Sequence, residues 1–290
     1  MAFVRERQIY TSTRKNEEMK EIEIFVVTEG QKRYYGSHRS RKKKAISTPK
    51  QKNLNDKNAR IYFDRLANTN FGRTDYHCTT TYDTKNYPHS VEEADAIVAK
   101  RFIPRLREEY RKRGLTLKYI WLTAFHSDKD GEPVRIHHHF LLSGGVERDV
   151  IENLWCGKSD KPGKLGESLG WVNCDRLQAN GDGISALCGY LARQPKEGRM
   201  RRWHSSLGLK KPMTAEPNDD KFDFSDLRKI VDDNADSPDV KWWERQYPGW
   251  TMQSDRNYAY TVSHSDITGA SIRVKLRKLT KKELVERRKC

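Results

Sequence analysis

Three consecutive histidines, His137, His138 and His139, lead into an apolar run within RIHHHFLLSGG, Arg135 to Gly145. In an extended strand successive side chains alternate between faces. His137 and His139 therefore share one face, ~6.6 Å apart along the backbone, and His138 takes the other. Two imidazoles on one face suit a borderline divalent ion, and closing such a site requires a third donor from elsewhere in the chain. A histidine-rich strand exposed for solvation alone is the competing reading. A second chemical group lies in GISALCGYLARQ, Gly183 to Gln194, where Ile184, Leu187, Cys188 and Leu191 follow the i, i+3, i+4, i+7 spacing that lays one helix face on a core. At about 100° per residue Tyr190 falls off that stripe, Arg193 and Gln194 follow roughly one turn on, and Pro195 ends the helix. A phenol with its ordinary pKa of ~10 is a poor nucleophile, but a metal polarising a phosphodiester and a nearby cation make attack on phosphorus feasible. An exposed tyrosine on an amphipathic helix is the plain alternative.

These groups need elements to hold them. KYIWLTAFH, Lys118 to His126, reads as a strand, SDKDGEP as a turn, and RIHHHFLL as the returning strand of a hairpin. His126 shares a face with Ile120, Leu122 and Ala124 and lies across the loop from His137, which offers it as the third ligand. The loop is too long to fix the register, so His77, Asp83 and Asp128 stay open as donors. DYHCTTTYD, Asp75 to Asp83, is dense in β-branched and aromatic residues and reads as another strand. A helix starts after Ser90, with Glu93 at the capping-box position, and Ala94, Ile97, Val98, Phe102, Leu106 and Tyr110 keep helical spacing. Pro104 inside that pattern predicts a kink or a split. Glu147 to Trp155 reads as a short helix. The following Gly157-Lys158-Ser159 has Glu152 where a phosphate-cradling loop needs glycine, which argues against an ATPase.

Charge is the strongest global signal. The 290 residues carry 56 Lys and Arg against 40 Asp and Glu, a formal net charge of +16. With 7 Trp, 13 Tyr and 9 Phe available for stacking, such a balance favours single-stranded nucleic acid as partner. A mean hydropathy of −0.95 and the lack of a long apolar run argue against a membrane span, and the N-terminus lacks an apolar signal centre. The five cysteines, Cys78, Cys156, Cys174, Cys188 and Cys290, show no local pairing pattern and read as free thiols in a cytosolic protein. Glu21 to Thr28 reads as a strand. Lys32 to Lys44 then holds seven Lys and Arg and no acid, so Arg41, Lys42, Lys43 and Lys44 are expected on phosphates. Tyr62 to Asn68 reads as the end of a short helix. Beyond Pro212 come an acidic stretch, Glu216 to Asp239, with a helix near Phe224 to Val231, and an aromatic cluster of Trp242, Trp243, Tyr247 and Trp250 that reads as core. A hairpin over Tyr258 to Ser263 and Ser271 to Leu276 and a basic tail, Lys275 to Lys289, complete the chain. The expected division is a basic arm over 1–55, a catalytic core over 56–215 and an extension over 216–290.

Taken together the motifs resemble those of the HUH endonucleases, and among them the rolling-circle replication initiators of small plasmids and single-stranded DNA phages. DYHCTTTYD resembles the family's first motif through Thr79, Thr81, Tyr82 and Asp83. YIWLTAFHSDKDGEPVRIHHH resembles its second, in which a hydrophobic residue usually separates two metal-binding histidines and a third, more often acidic, ligand precedes the turn. The resemblance thus gives His137, His139 and His126 the metal and implies that valine is tolerated at His138. CGYLARQPK resembles the third motif, Tyr-x-x-Lys, with Tyr190 as nucleophile, Arg193 at the lysine position and Lys196 as its substitute. RMRRWHSSLGLKKP is also typical of these initiators and adds Arg201, Arg202, Lys210 and Lys211 as DNA contacts. The resemblance covers Lys52 to Pro212. It implies an α+β fold: a ferredoxin-like or RRM-like HUH core whose central antiparallel sheet is flanked by helices packed on one face, with the tyrosine on a helix opposite the metal. An N-terminal basic arm and a C-terminal extension would be attached to it. It further implies Mg²⁺ or Mn²⁺ as cofactor, and nicking and joining of single-stranded or supercoiled origin DNA through a 5′-phosphotyrosine. A free 3′-OH, host helicase and host polymerase would then carry replication in a bacterial cytoplasm. The alternatives are a noncatalytic RRM-like single-strand binder, and an HUH transposase or conjugative relaxase with the same chemistry.

Overall fold

The computed structural model describes residues 2–15, 17–28, 49–125, 135–159, 161, 164–193, 202–232, 239–252, 260–265 and 269–287. Arg41 to Lys44, His126, Asp128, Gln194, Lys196 and Arg201 lie outside them. The chain divides into two compact units, one of residues 1–59, 180–183 and 211–290, the other of residues 60–179 and 184–210. The mixed α+β class is as expected, with antiparallel sheets flanked by helices. Its division differs from the expected one, because the two ends of the chain share a sheet. Among the described residues no helix is long and apolar enough to cross a membrane.

In the first unit β1 (Phe3–Ser12) pairs with β2 (Met19–Val27), and β2 pairs on its other edge with β11 (Gly269–Lys278). β10 (Tyr260–Ser265) lies beyond β11 as the expected hairpin partner, β8 (Met213–Thr214) lies beyond β1, and β9 (Trp250–Thr251) also pairs with β11. Ile272, Val274 and Leu276 alternate into the core, as period-two spacing requires of a half-buried strand. The start of the expected basic tail is therefore sheet, and Lys281–Arg287 continues it as helix α8. Helix α6 (Phe224–Val231), with Asp223 and Asp226 forming its capping box, and helix α7 (Val240–Gln246) bring Leu227, Ile230, Trp243 and Tyr247 onto Ile22, Ile24 and Val274. The aromatic cluster is core, as read from the sequence.

The second unit is built on a five-stranded antiparallel sheet in the order β6-β3-β5-β4-β7. These are β6 (Val172–Arg176), β3 (Tyr76–Thr80), β5 (His137–Leu142), β4 (Tyr119–Ala124) and β7 (His204–Ser205). Period-two alternation sends Tyr76, Cys78, Trp121, Phe140, Leu142 and Cys174 to one face. There they meet Ala94 of helix α2 (Val91–Ile97), Ile103, Leu106 and Tyr110 of helix α3 (Ile103–Lys112), and Ile151 of helix α4 (Arg148–Asn153). Ile120, Leu122 and Leu141 take the other face. They pack on Phe63, Leu66 and Ala67 of helix α1 (Pro49–Asn70) and on Cys188 and Leu191 of helix α5 (Ser185–Leu191). Helices thus cover both faces, where the resemblance implied one. The reason is that β5 and β4 carry apolar residues on both sides of the pleat.

One local expectation holds and another changes. The helical run around Pro104 is divided: residues Val98–Phe102 widen into a π turn in which Ile103 N–H donates to Val98 O, so α2 ends before it and α3 begins just ahead of the residue that lacks a donor. The cysteines are not all free thiols. Cys78 and Cys174 face each other across β3 and β6 with Cα atoms 4.1 Å apart and form a disulfide. Their sequence separation of 96 hides a neighbour relation that only sheet pairing creates. Cys156 and Cys188 keep their thiols and are buried.

Candidate active site

The register of β5 fixes the three histidines. His139 stands between Thr79 of β3 and Leu122 of β4, His138 between Thr80 and Thr123, and His137 beside Ala124. His138 is fully buried on the face covered by α2 and α3. Its hydrogen bonds run in one direction. Thr123 Oγ1 donates to Asp95 Oδ1 at 2.5 Å, so its oxygen accepts from His138 Nδ1 at 2.9 Å, and His138 Nε2 accepts from the Tyr82 hydroxyl at 2.8 Å. Burial pushes this imidazole down to about 3, which keeps it neutral and consistent with that single tautomer. The position at which the resemblance allows valine is thus occupied by a histidine with two committed hydrogen bonds, and valine there would remove both.

His139 takes the opposite face and is treated differently. Its Nδ1 lies 3.2 Å from Thr79 Oγ1 and 3.3 Å from His77 Nε2, while its Nε2 is buried with no hydrogen-bond partner among the described residues. Burial, followed by the charges of neighbouring histidines, pushes His139 down to about 3 as well, so the ring is neutral and keeps a lone pair. His137 packs edge-on against it, with ring centres 4.9 Å apart, and Nδ1 of His137 lies 2.8 Å from Arg135 O. A carbonyl only accepts, so His137 Nδ1 carries the proton and Nε2 the lone pair. In both rings one nitrogen is occupied by an orienting partner and the other has none among the described residues, the arrangement in which a histidine ligates a metal.

His77 was one of several open donors in the sequence. The structure puts it on β3, stacked on His139 with ring centres 5.4 Å apart, where it receives the Nδ1 side of that ring. Burial lowers its pKa, against the opposing charge of Asp175. Asp83 is committed to its own turn, accepting from Asn86 N–H at 2.8 Å. Among the described residues no three His, Cys, Asp or Glu side chains gather as a metal-binding group. His137 and His139 fit a metal as two ligands, and His126, the expected third, lies outside the described residues.

Helix α5 lies over this face. Ile184, Cys188 and Leu191 of the expected stripe are buried and Leu187 is partly so. Tyr190 is 52% exposed, and its ring stands edge-on to His139 with centres 5.7 Å apart. The helix is seated by a residue no motif singles out, Asn68 of α1. Asn68 is buried; its Oδ1 accepts from Ile184 N–H at 2.9 Å, a backbone donor at the helix start, and its Nδ2 donates to the Ser185 hydroxyl oxygen at 3.2 Å. At the other end Arg202 Nη1 donates to Ala192 O at 3.5 Å. Arg193 is exposed and its N–H donates to Tyr190 O at 3.2 Å. Lys210 and Lys211 have exposed side chains. No family model, curated protein or solved structure matches this chain.

Proposed function

We propose that the histidine-bearing unit nicks and rejoins single-stranded DNA by attack of Tyr190 on a phosphodiester, as the HUH replication initiators that it resembles do. One observation carries the reading: an exposed phenol stands edge-on to His139, whose buried Nε2 has no partner among the described residues. His137 and His139, with His126, would hold Mg²⁺ or Mn²⁺, which when bound withdraws electron density from the scissile phosphate. Tyr190 Oη gives up its proton and forms a bond to phosphorus. The bond from phosphorus to O3′ breaks, O3′ leaves with the electron pair and takes up a proton, and the 5′ end remains on the tyrosine. The reverse reaction restores the strand. Arg193 and Lys196 would offset charge on the phosphate, and Arg41 to Lys44, Arg201, Lys210 and Lys211 would supply backbone contacts, as the +16 net charge favours. In this reading the free 3′-OH primes replication at an origin, host helicase and polymerase are the partners, and the chain works in a bacterial cytoplasm.

The test is incubation of the full chain with Mn²⁺ and single-stranded origin DNA, followed by denaturing electrophoresis. The wild type is expected to give a denaturant-resistant adduct and Tyr190→Phe none, since phenylalanine keeps the shape and removes the nucleophile. Binding without any adduct would return the protein to the class of noncatalytic single-strand binders.

A further inference from the structure

We propose that Trp171 is a base-stacking platform beside the histidine pair, taking a nucleobase of the single strand whose phosphate Tyr190 attacks. The proposal rests on the single-stranded substrate of the reading above. Seven tryptophans occur in the chain, and among the described residues Trp171 alone is exposed, at 62%. Its indole makes no ring or cation contact there.

The backbone beneath it is fixed. Thr81 donates to Trp171 O through its N–H at 2.8 Å and through Oγ1 at 3.2 Å, which extends the β3–β6 ladder past its last pair, Thr80 with Val172. Gly170 lies so close against the chain that an added Cβ would stand 2.5 Å from Thr81 O and 2.7 Å from both Asp83 N and Tyr82 Cα. A substituent at position 170 would push this segment off β3. A large aromatic ring with both faces available for stacking is thus held out from a paired backbone.

Its direction follows from the pleat. Val172 packs against the core under α2 and α3, so Trp171 emerges on the opposite face, the one that carries His137 and His139. Continuing the β3–β5 register by one residue from Thr80 and His138 brings Thr81 level with His137. Trp171, Thr81 and His137 therefore form one cross-strand row, and two strand spacings separate the indole's strand from the histidine's by about 10 Å. In an extended strand of DNA, a phosphate at the histidines would leave a neighbouring base within reach of the indole. The protein's basic excess favours this occupant over an acidic or neutral surface, and stacking tolerates every base because each has a π-face.

The experiment is fluorescence-anisotropy titration of a labelled oligodeoxythymidylate with full-length wild type, Trp171→Ala and Trp171→Phe, with thermal melting and sedimentation of the same samples. Because the side chain is exposed, all three should melt alike. Trp171→Ala is expected to bind about tenfold more weakly and Trp171→Phe close to wild type. Wild-type binding matched by Trp171→Ala would overturn the platform and leave the nicking reading standing. So would loss of a dimer in Trp171→Ala at unchanged DNA affinity, which would give the indole to a second copy of the chain. A wild type that binds no single strand would overturn both.

Discussion

His138 and His139 are the same residue type at adjacent positions of one strand, and the sheet gives them opposite surroundings. On one face His138 closes a chain of hydrogen bonds from Tyr82 to Asp95. On the other, His139 is buried with Nε2 open, beneath a helix that presents an exposed tyrosine. A buried, unpartnered polar atom costs about 1–3 kcal/mol, so the two faces are not equivalent solutions to burying an imidazole. The hydrogen bonds of His138 link β5 to Thr123 of β4 and to Tyr82, and Nε2 of His139 keeps no partner among the described residues.

The comparison breaks most decisively on the open face. His137→Ala combined with His139→Ala removes both free ring nitrogens and is expected to abolish the Mn²⁺-dependent adduct, while single-strand affinity, which rests on Lys and Arg contacts to phosphates, changes little. Retained nicking in this double variant would end the assignment of the pair. On the closed face the expectation inverts. His138→Val removes the hydrogen bonds to Tyr82 and Thr123 and should lower unfolding stability in urea by about 1–3 kcal/mol, with adduct formation per folded molecule retained. A valine variant as stable as wild type would mean that the hydrogen-bonded chain contributes nothing. His77→Ala probes the support of the open face, since an orienting partner of a ligand typically contributes about 10–100-fold in metal affinity. The Mn²⁺ concentration needed for half-maximal adduct should rise by at least the lower figure. An unchanged requirement would confine His77 to packing.

The smallest effect is expected in the other unit, at a buried lysine. Lys20 donates to Gln8 Oε1 at 3.0 Å and lies 4.6 Å from the ring centres of both Tyr247 and Trp250. Burial, and then the charge of Lys221, pushes it from 10.5 down to about 8. Between those two values the unfolded chain binds the proton and the folded chain does not, so stability should rise with pH from about 8 to about 10, by on the order of 1 kcal/mol. Lys20→Met should flatten that rise and leave the adduct untouched. A slope identical to wild type would place the titration elsewhere.

Much of this contrast was legible in the sequence because it depends on local periods. Alternation alone separated His138 from the His137–His139 pair, the apolar stripe of α5 put Tyr190 off the core, and Ser90 with Glu93 marked the start of α2, where Ser90 Oγ accepts from Glu93 N–H at 3.1 Å. What was not legible depends on pairing between distant segments. β6 is an edge strand with a single fully buried residue, Cys174, and so shows little alternation. β1 carries Arg5, Glu6 and Arg7 and looks like a polar leader until Tyr247, from the far end of the chain, donates to Glu6 at 2.8 Å. The disulfide, the role of His77 and the seating of α5 by Asn68 belong to the same class. Each is a contact between elements whose residues carry no mark of it.

The central claim is that the open face serves one phenol. Tyr82 and Tyr110 are buried, and burial raises the pKa of each well above that of a free phenol, whereas Tyr190 stands exposed at the histidines. The direct measurement is peptide mapping by mass spectrometry of the adduct formed with single-stranded origin DNA and Mn²⁺. The account expects the nucleotide on the peptide that contains Tyr190. Attachment at Tyr82, Tyr110 or any other residue, or a cut strand with no protein attached, would contradict it.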